Sequence, residues 1–375
     1  MATPAPTFRR PLKKSDLAGF LKPLKPTLYS DALGPPRLSA PPPNIRSLSW
    51  SATGTLLATC NTANIRIWNA DRPDVKKSTE VRSAHPKGGA DWTGGGVMGD
   101  QVEKVAFCPA LDAVLASCGG DGVVRLWDVR VPGAVAGVSG KGTPLGSSKV
   151  GGDAAFLTWH PNGREMLVGR KDDVVHSIDV RLLSSTDNHT PQYQLDATQT
   201  LPRGKDILYS MAFSNSGREV FATTAEGCVR ILDYPTMAHL HTLSGHPAPC
   251  YSVQHSPSGT TLVVGSGDST ISVWDTSLWL TTHTLTAPSQ TTSIRNLSFS
   301  FDGAYLVAGA GTGTSDYKEG GAGLNVYHVD TGEVVHTVET THCPAQVAWH
   351  PGRYWIAYAG DGGGVKVVGG GATVL

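Results

Sequence analysis

A histidine, a hydroxyl and a carboxylate within hydrogen-bond reach are the parts of a nucleophilic site, and two stretches of this chain carry such parts. Gly245-His246 is followed by Asp268 and, six residues on, by Trp274; Ser117 is followed by Asp121 and, again six residues on, by Trp127. Residues 94–99 read Gly-Gly-Gly-Val-Met-Gly, which satisfies G-x-G-x-x-G formally. That fingerprint binds a dinucleotide only between a strand and the helix whose N-terminus meets the pyrophosphate. Here it lies in a glycine-rich loop that leads into a strand, so no nucleotide site is expected. The six cysteines (Cys60, Cys108, Cys118, Cys228, Cys250 and Cys343) are far apart and form no CxxC pair. They read as reduced, mostly buried thiols rather than metal ligands or a disulfide framework. No metal, cofactor or small-molecule substrate is expected.

The elements that must position these residues recur along the chain. SLSWSATGTLLATCNTANIRIWN (47–69), VAFCPALDAVLASCGGDGVVRLWD (105–128), LTWHPNGREMLVGRKDDVVHSID (157–179), MAFSNSGREVFATTAEGCVRILD (211–233) and VQHSPSGTTLVVGSGDSTISVWD (253–275) align with one another. LSFSFDGAYLVAGAG (297–311) with LNVYHV, and VAWHPGRYWIAYAGDGGGVKVVG (347–369), make seven copies. Each copy begins with a short alternating strand that ends at Trp50, Phe107, Trp159, Phe213, His255, Phe299 or Trp349. A turn, an apolar strand, a second Gly/Asp-rich turn and a third alternating strand follow. The 44 glycines and 25 prolines are above average usage, as so many turns require, while 39% hydrophobic residues give the chain a core to bury.

This grammar resembles the WD40 family, whose repeat of roughly 40–45 residues folds as a four-stranded blade. The implied fold is all-β, a seven-bladed propeller over residues 27–370. A lone blade exposes apolar surface on both faces, so only a ring of stacked neighbours buries it. The seventh copy ends soon after its third strand. Its fourth strand is therefore expected from upstream of Asn44, near Thr27 to Ser30. In the family a His, a Ser or Thr, an Asp and a Trp bond one another and tie the turn between strands to the next loop. The resemblance thus assigns Ser117, Asp121, Trp127, His246, Asp268 and Trp274 to structural networks rather than to catalysis. Copy five departs from the pattern, with Val264 at the hydroxyl's place. In copy two, His85 is separated from its strand by a glycine-rich insertion.

Outside the repeats, residues 1–26 carry Arg9, Arg10, Lys13, Lys14, Lys22 and Lys25 against one Asp16, with Leu17, Phe20, Leu21 and Leu24 between them. They read as a flexible basic leader, or as a segment that orders on a partner helix or a phosphate backbone. Residues 371–375 form a short tail. Insertions at 86–101, 183–206 and 311–323 read as loops. Trp92, Arg9, Arg10, Lys13, Lys14 and Phe20 are the candidate partner contacts. Basic residues two before the third-strand aromatic (Arg66, Arg125, Arg230 and Lys366) read as a solvated edge. With 31 basic and 31 acidic residues, RNA binding is expected to be weak, salt-sensitive and confined to the leader. No apolar run approaches a membrane span and no signal peptide is visible, so an intracellular chain is expected.

The run Val168-Gly169-Arg170-Lys171-Asp172-Asp173-Val174-Val175-His176-Ser177-Ile178-Asp179 departs from the general repeat pattern, as do Gly227–Pro235, 238–259, 293–303 and 346–351. In these stretches and in repeat order the chain is similar to the WD40 subunit of the THO complex, which couples transcription to nuclear mRNA packaging and export. That resemblance implies a nuclear scaffold without an active site, held by elongated helical THO subunits and reaching export factors and RNA through them. The glycine-rich insertions and the loop at 315–318 depart from the family, so no interface residue is carried over. Two alternatives remain. Trp127-Asp128-Val129-Arg130 is a WDxR sequence, which resembles the docking motif of substrate receptors for cullin-type ubiquitin ligases. A histone-binding propeller is the other.

Overall fold

In the computed structural model, residues 12–29, 45–72, 78–86, 101–131, 142–183, 192–201, 206–286, 292–311, 323–340, 343–359 and 364–369 are described. They fold into seven four-stranded antiparallel sheets arranged as a propeller. The first strands are Ser47–Trp50, Val102–Phe107, Ala154–Trp159, Leu208–Phe213, Cys250–His255, Ile294–Phe299 and Gln346–Trp349. Each ends at the residue that marked its copy in the sequence. These strands touch one another in order around a ring, which closes between Ser47–Trp50 and Gln346–Trp349.

Burial follows position in the blade. Second strands such as Val114–Gly119 and Tyr305–Ala310 are buried at every residue because neighbouring blades cover both faces. Fourth strands lie outermost, and His239–Ser244 buries only Leu243 fully. Between blades the turns interlock. Gly54 and Gly217 hold φ near +78° and +73°, where glycine alone is unstrained. A Cβ at Gly54 would lie 2.1 Å from His350 Nε2 of blade 7, and one at Gly217 would lie 2.2 Å from His160 Nε2 of blade 3.

The seventh blade takes its outer strand from the N-terminal region. Thr27–Tyr29 pairs antiparallel with Val365–Val368, Thr27 facing Val367 and Tyr29 facing Val365. Just before it, Lys14–Leu21 is a helix with Leu17 and Leu21 buried. Its apolar side joins a cluster with Tyr305, Trp349, Tyr354 and Ile356 of blades 6 and 7. The flexible leader expected over 1–26 is therefore corrected for residues 12–26. The interleaved Leu17, Phe20, Leu21 and Leu24 face the propeller.

A second correction concerns the insertion at 183–206. The third strand of blade 3 runs Val175–Leu183 and pairs with Gln192–Leu201, so the described part of that stretch is almost all strand rather than loop. Val180 pairs with Leu195 and Leu182 with Tyr193. Most of the other insertions, residues 87–100 and 312–322, lie outside the described residues.

Candidate functional site: sealed polar networks and a docked helix

The second turn of blade 2 places Asp121 where its carboxylate caps Val123 N at 3.1 Å. His85 arrives from the loop that follows the outer strand of blade 1. Its Nδ1 lies 2.8 Å from Asp121 Oδ1 and its Nε2 2.7 Å from Ser117 Oγ. Trp127 Nε1 donates to the same Ser117 Oγ at 2.8 Å. One proton arrangement closes the chain from indole to carboxylate: Trp127 N–H to Ser117, Ser117 O–H to His85 Nε2, and His85 Nδ1–H to Asp121, with Arg125 Nη1 2.7 Å from the same Nδ1. Arg125 adds a charge-assisted bond to Asp121 Oδ2 at 2.5 Å. Burial raises the Asp121 pKa, but the bonds from His85 and Arg125 outweigh it and hold the carboxyl below its ordinary value.

The connectivity is that of a Ser-His-Asp triad, but Ser117 and His85 are fully buried. A nucleophile must reach substrate, and this hydroxyl is spent on an indole and an imidazole. The set therefore works as a tie between the loop before blade 2, its second turn and its third strand. Blade 5 repeats it. His246 Nδ1 lies 2.8 Å from Asp268 Oδ2, His246 Nε2 lies 2.8 Å from Ser272 Oγ, and Trp274 Nε1 donates to Ser272 at 2.8 Å. Burial again raises the Asp268 pKa, and bonds from Thr270 and His246 again bring it below the ordinary value. Sequence reasoning missed Ser272. Its signal was pairing: Ser272 sits directly across from Val264, and opposed residues of paired strands share a face.

The other sequence candidates fall in four groups. Trp92, Arg9 and Arg10 lie outside the described residues. Lys13, Lys14 and Phe20 belong to the docked helix segment. The Lys13 carbonyl accepts from Asp16 N and Leu17 N at 2.9 and 3.2 Å, Lys14 pairs with Glu333, and the Phe20 ring lies 6.3 Å from that of Tyr354. Leu12 closes the attachment: its N–H donates to Tyr354 Oη, and Tyr305 Oη donates to its carbonyl, both at 2.8 Å. Of the basic edge positions, Arg66, Arg125 and Arg230 pair with Glu80, Asp121 and Asp206. In the WDxR sequence, Arg130 is 69% exposed at its side chain while its partner Asp128 is buried. Its Nε and Nη2 grip the carboxylate at 2.9 and 2.5 Å.

Cys60, Cys108, Cys118 and Cys250 are free and buried. Burial pushes the Cys60 and Cys250 thiols up to about 12, which keeps them protonated and unreactive. Among the described residues no group of three or more His, Cys, Asp or Glu could hold a metal ion, and no helix is long and apolar enough to cross a membrane.

The family described as WD domain, G-beta repeat matches residues 37–69, 98–128 and 237–275. Two of these three segments end on the third strands of blades 2 and 5, which carry the buried tryptophans of the two networks. The chain is a WD40-repeat propeller. This propeller is similar to THO complex subunit 3 of Arabidopsis thaliana, at 29% identity over 84% of the chain and 86% of that protein. It is also similar to WD repeat-containing protein AAC3 of Dictyostelium discoideum, at 24% identity over 84% of the chain and 61% of that protein. The resemblance to the THO WD40 subunit is borne out by the first relative. Among solved structures, the β-propeller domain of Cps50 (Swd1) from Myceliophteria thermophila matches with a TM-score of 0.65. It covers 88% of this chain and 97% of that one; at 16% identity the match speaks for the propeller fold alone.

Proposed function

We propose that this WD40 propeller is a non-catalytic scaffold subunit of a THO-type assembly, acting in the nucleus to couple transcription to mRNA packaging and export. One observation carries the reading: the similarity to THO complex subunit 3 runs through 84% of the chain and 86% of the relative. The WD repeat-containing protein AAC3 matches as much of the chain, but at 24% identity against 29% and over less of its own length. The sealed networks support the same view, since their polar groups are consumed in holding the blades and function is left to the outer surface. The partners are elongated helical subunits, with export factors and RNA reached through them. The chain alone binds RNA weakly and in a salt-sensitive way, through basic residues near its N-terminus.

A second reading, a substrate receptor of a cullin-type ligase, draws on the exposure of Arg130. Affinity purification of the tagged chain from nuclear extract, at moderate salt and with nuclease, separates the two. Mass spectrometry is expected to find helical THO subunits at equal yield for the wild type and for Arg130→Ala. Recovery of a cullin adaptor that disappears in Arg130→Ala, or of histones, would overturn the scaffold reading.

A further inference from the structure

The long hairpin of blade 3 carries an apolar stripe that the propeller does not finish covering. Val180, Leu182, Tyr193 and Leu195 share one face, because Val180 opposes Leu195 and Leu182 opposes Tyr193. Three of them pack over blade 2: Val180, Tyr193 and Leu195 are buried with Cys108 and Trp159, and Tyr193 N donates to the Leu145 carbonyl at 3.0 Å. The fourth, Leu182, is 63% exposed. It overhangs a cavity of about 530 Å³ between the hairpin and the first turns of blades 2 and 3, lined also by Leu111, Arg164 and Arg181. Leu111, in the blade 2 turn, is 44% exposed. Two large exposed leucines around one concavity are more than scattered surface residues require.

The rim states the charge of what fits. Arg181 is paired with Asp179 at 2.6 Å. Arg164 is exposed and its guanidinium has no carboxylate partner among the described residues. Two guanidiniums thus face one carboxylate in the cavity's lining. A nucleic acid is a poor occupant, since leucines offer no stacking face and one of the two cations is already neutralised. We infer that this groove between blades 2 and 3 docks a partner-protein segment that places bulky apolar side chains against Leu111 and Leu182 and a carboxylate against Arg164. The inference rests on the scaffold reading in taking the segment from an assembly partner.

The test uses the full-length chain carrying photoreactive p-benzoylphenylalanine in place of Leu182 or, as a control, of Leu278, which is 68% exposed on blade 5. Cells are irradiated, the tagged chain is purified and the cross-linked peptides are sequenced. Position 182 is expected to cross-link to a segment of a second protein in which apolar residues are flanked by Asp or Glu. Arg164→Glu is expected to lower that yield about fivefold, as reversal of one rim charge allows, with Arg164→Lys restoring most of it and the melting temperature unchanged. Cross-links from 182 only into this chain, a second copy, RNA or a segment without carboxylates would overturn the proposal. So would a yield indifferent to Arg164→Glu. Recovery of THO subunits is scored in the same purification. If they are recovered without the cross-link, the groove fails and the scaffold reading stands; an acidic cross-link to an unrelated protein does the reverse.

Discussion

Blades 2 and 5 bury the same four groups by different routes. In blade 2 the hydroxyl is Ser117 on the second strand, directly opposite Arg125 on the third. In blade 5 the equivalent pair is Val264 opposite Ser272, so the hydroxyl has crossed to the neighbouring strand. Both serines still reach a histidine Nε2 and an indole Nε1 within 2.8 Å. The exchange has a consequence for the carboxylate. Where blade 2 keeps Arg125 on Asp121, blade 5 has Ser272 at the equivalent position, and Thr270 donates to Asp268 from its hydroxyl and its N–H at 2.7 and 2.9 Å. What is kept between the blades is the closed chain of bonds, and the residue positions that supply it are free to move.

The largest effect should come from removing the indoles. Trp127 is 1% exposed and Trp274 7%. Trp127→Ala and Trp274→Ala should each cost about 3–5 kcal/mol, from the cavity left behind and from a serine stripped of its donor. Blade 2 should lose more, because its tryptophan is the better sealed and Arg125 leaves its network more charged. Urea unfolding of the two variants measures the difference. A smaller loss in blade 2 would mean that the added ion pair, rather than the indole, carries that network.

A third buried histidine sharpens the comparison through pH. His350, at the seam of blades 7 and 1, lies between Trp50 and Trp355 with ring centroids at 5.0 and 5.2 Å. Unlike His85 and His246, it has no bonded carboxylate among the described residues. Burial and then the Arg353 charge lower its pKa from 6.5 to about 4. The folded value lies below the unfolded one, so the unfolded chain takes up the proton first. Stability is therefore intact above about pH 6.5 and declines as pH falls toward 4, by at most about 3 kcal/mol for this group. Thermal unfolding across that window should show His350→Phe with a flatter profile than wild type. An unchanged slope would place the acid sensitivity elsewhere.

The contrast between the two networks also marks what a sequence discloses. The first-strand aromatics from Trp50 to Trp349 were legible because a buried strand end repeats in type and spacing. Asp121, Asp268 and both tryptophans were legible because each pair keeps its six-residue spacing. Ser272 was hidden, since a residue is matched to its repeat by position while a hydrogen bond is satisfied by face. The helix Lys14–Leu21 was hidden for another reason: eight residues are too few to hold a helix in water, and its stability comes from Tyr305 and Tyr354, nearly 300 residues or more away. The blade 3 hairpin did leave a trace. Tyr193, Leu195 and Ala197 alternate with polar residues, but the stretch departs from the regular repeat period and so read as a loop.

The smallest effect is the most direct test of whether the two routes are equivalent. Ser272→Val should cost about 1–3 kcal/mol, because His246 Nε2 and Trp274 Nε1 would be buried without a partner. Adding Val264→Ser returns a hydroxyl to the strand that supplies it in blade 2. The two side chains oppose one another across the ladder, so the new Oγ starts within reach of both nitrogens. The double variant should recover to within about 1 kcal/mol of wild type, a favourable coupling between neighbours that unfolding of all four members of the cycle would measure. If the second change adds nothing, Thr270 and the absent guanidinium have shaped the blade 5 pocket around its own serine. The hydroxyl would then be specific to its strand, and the two networks would be alike only in composition.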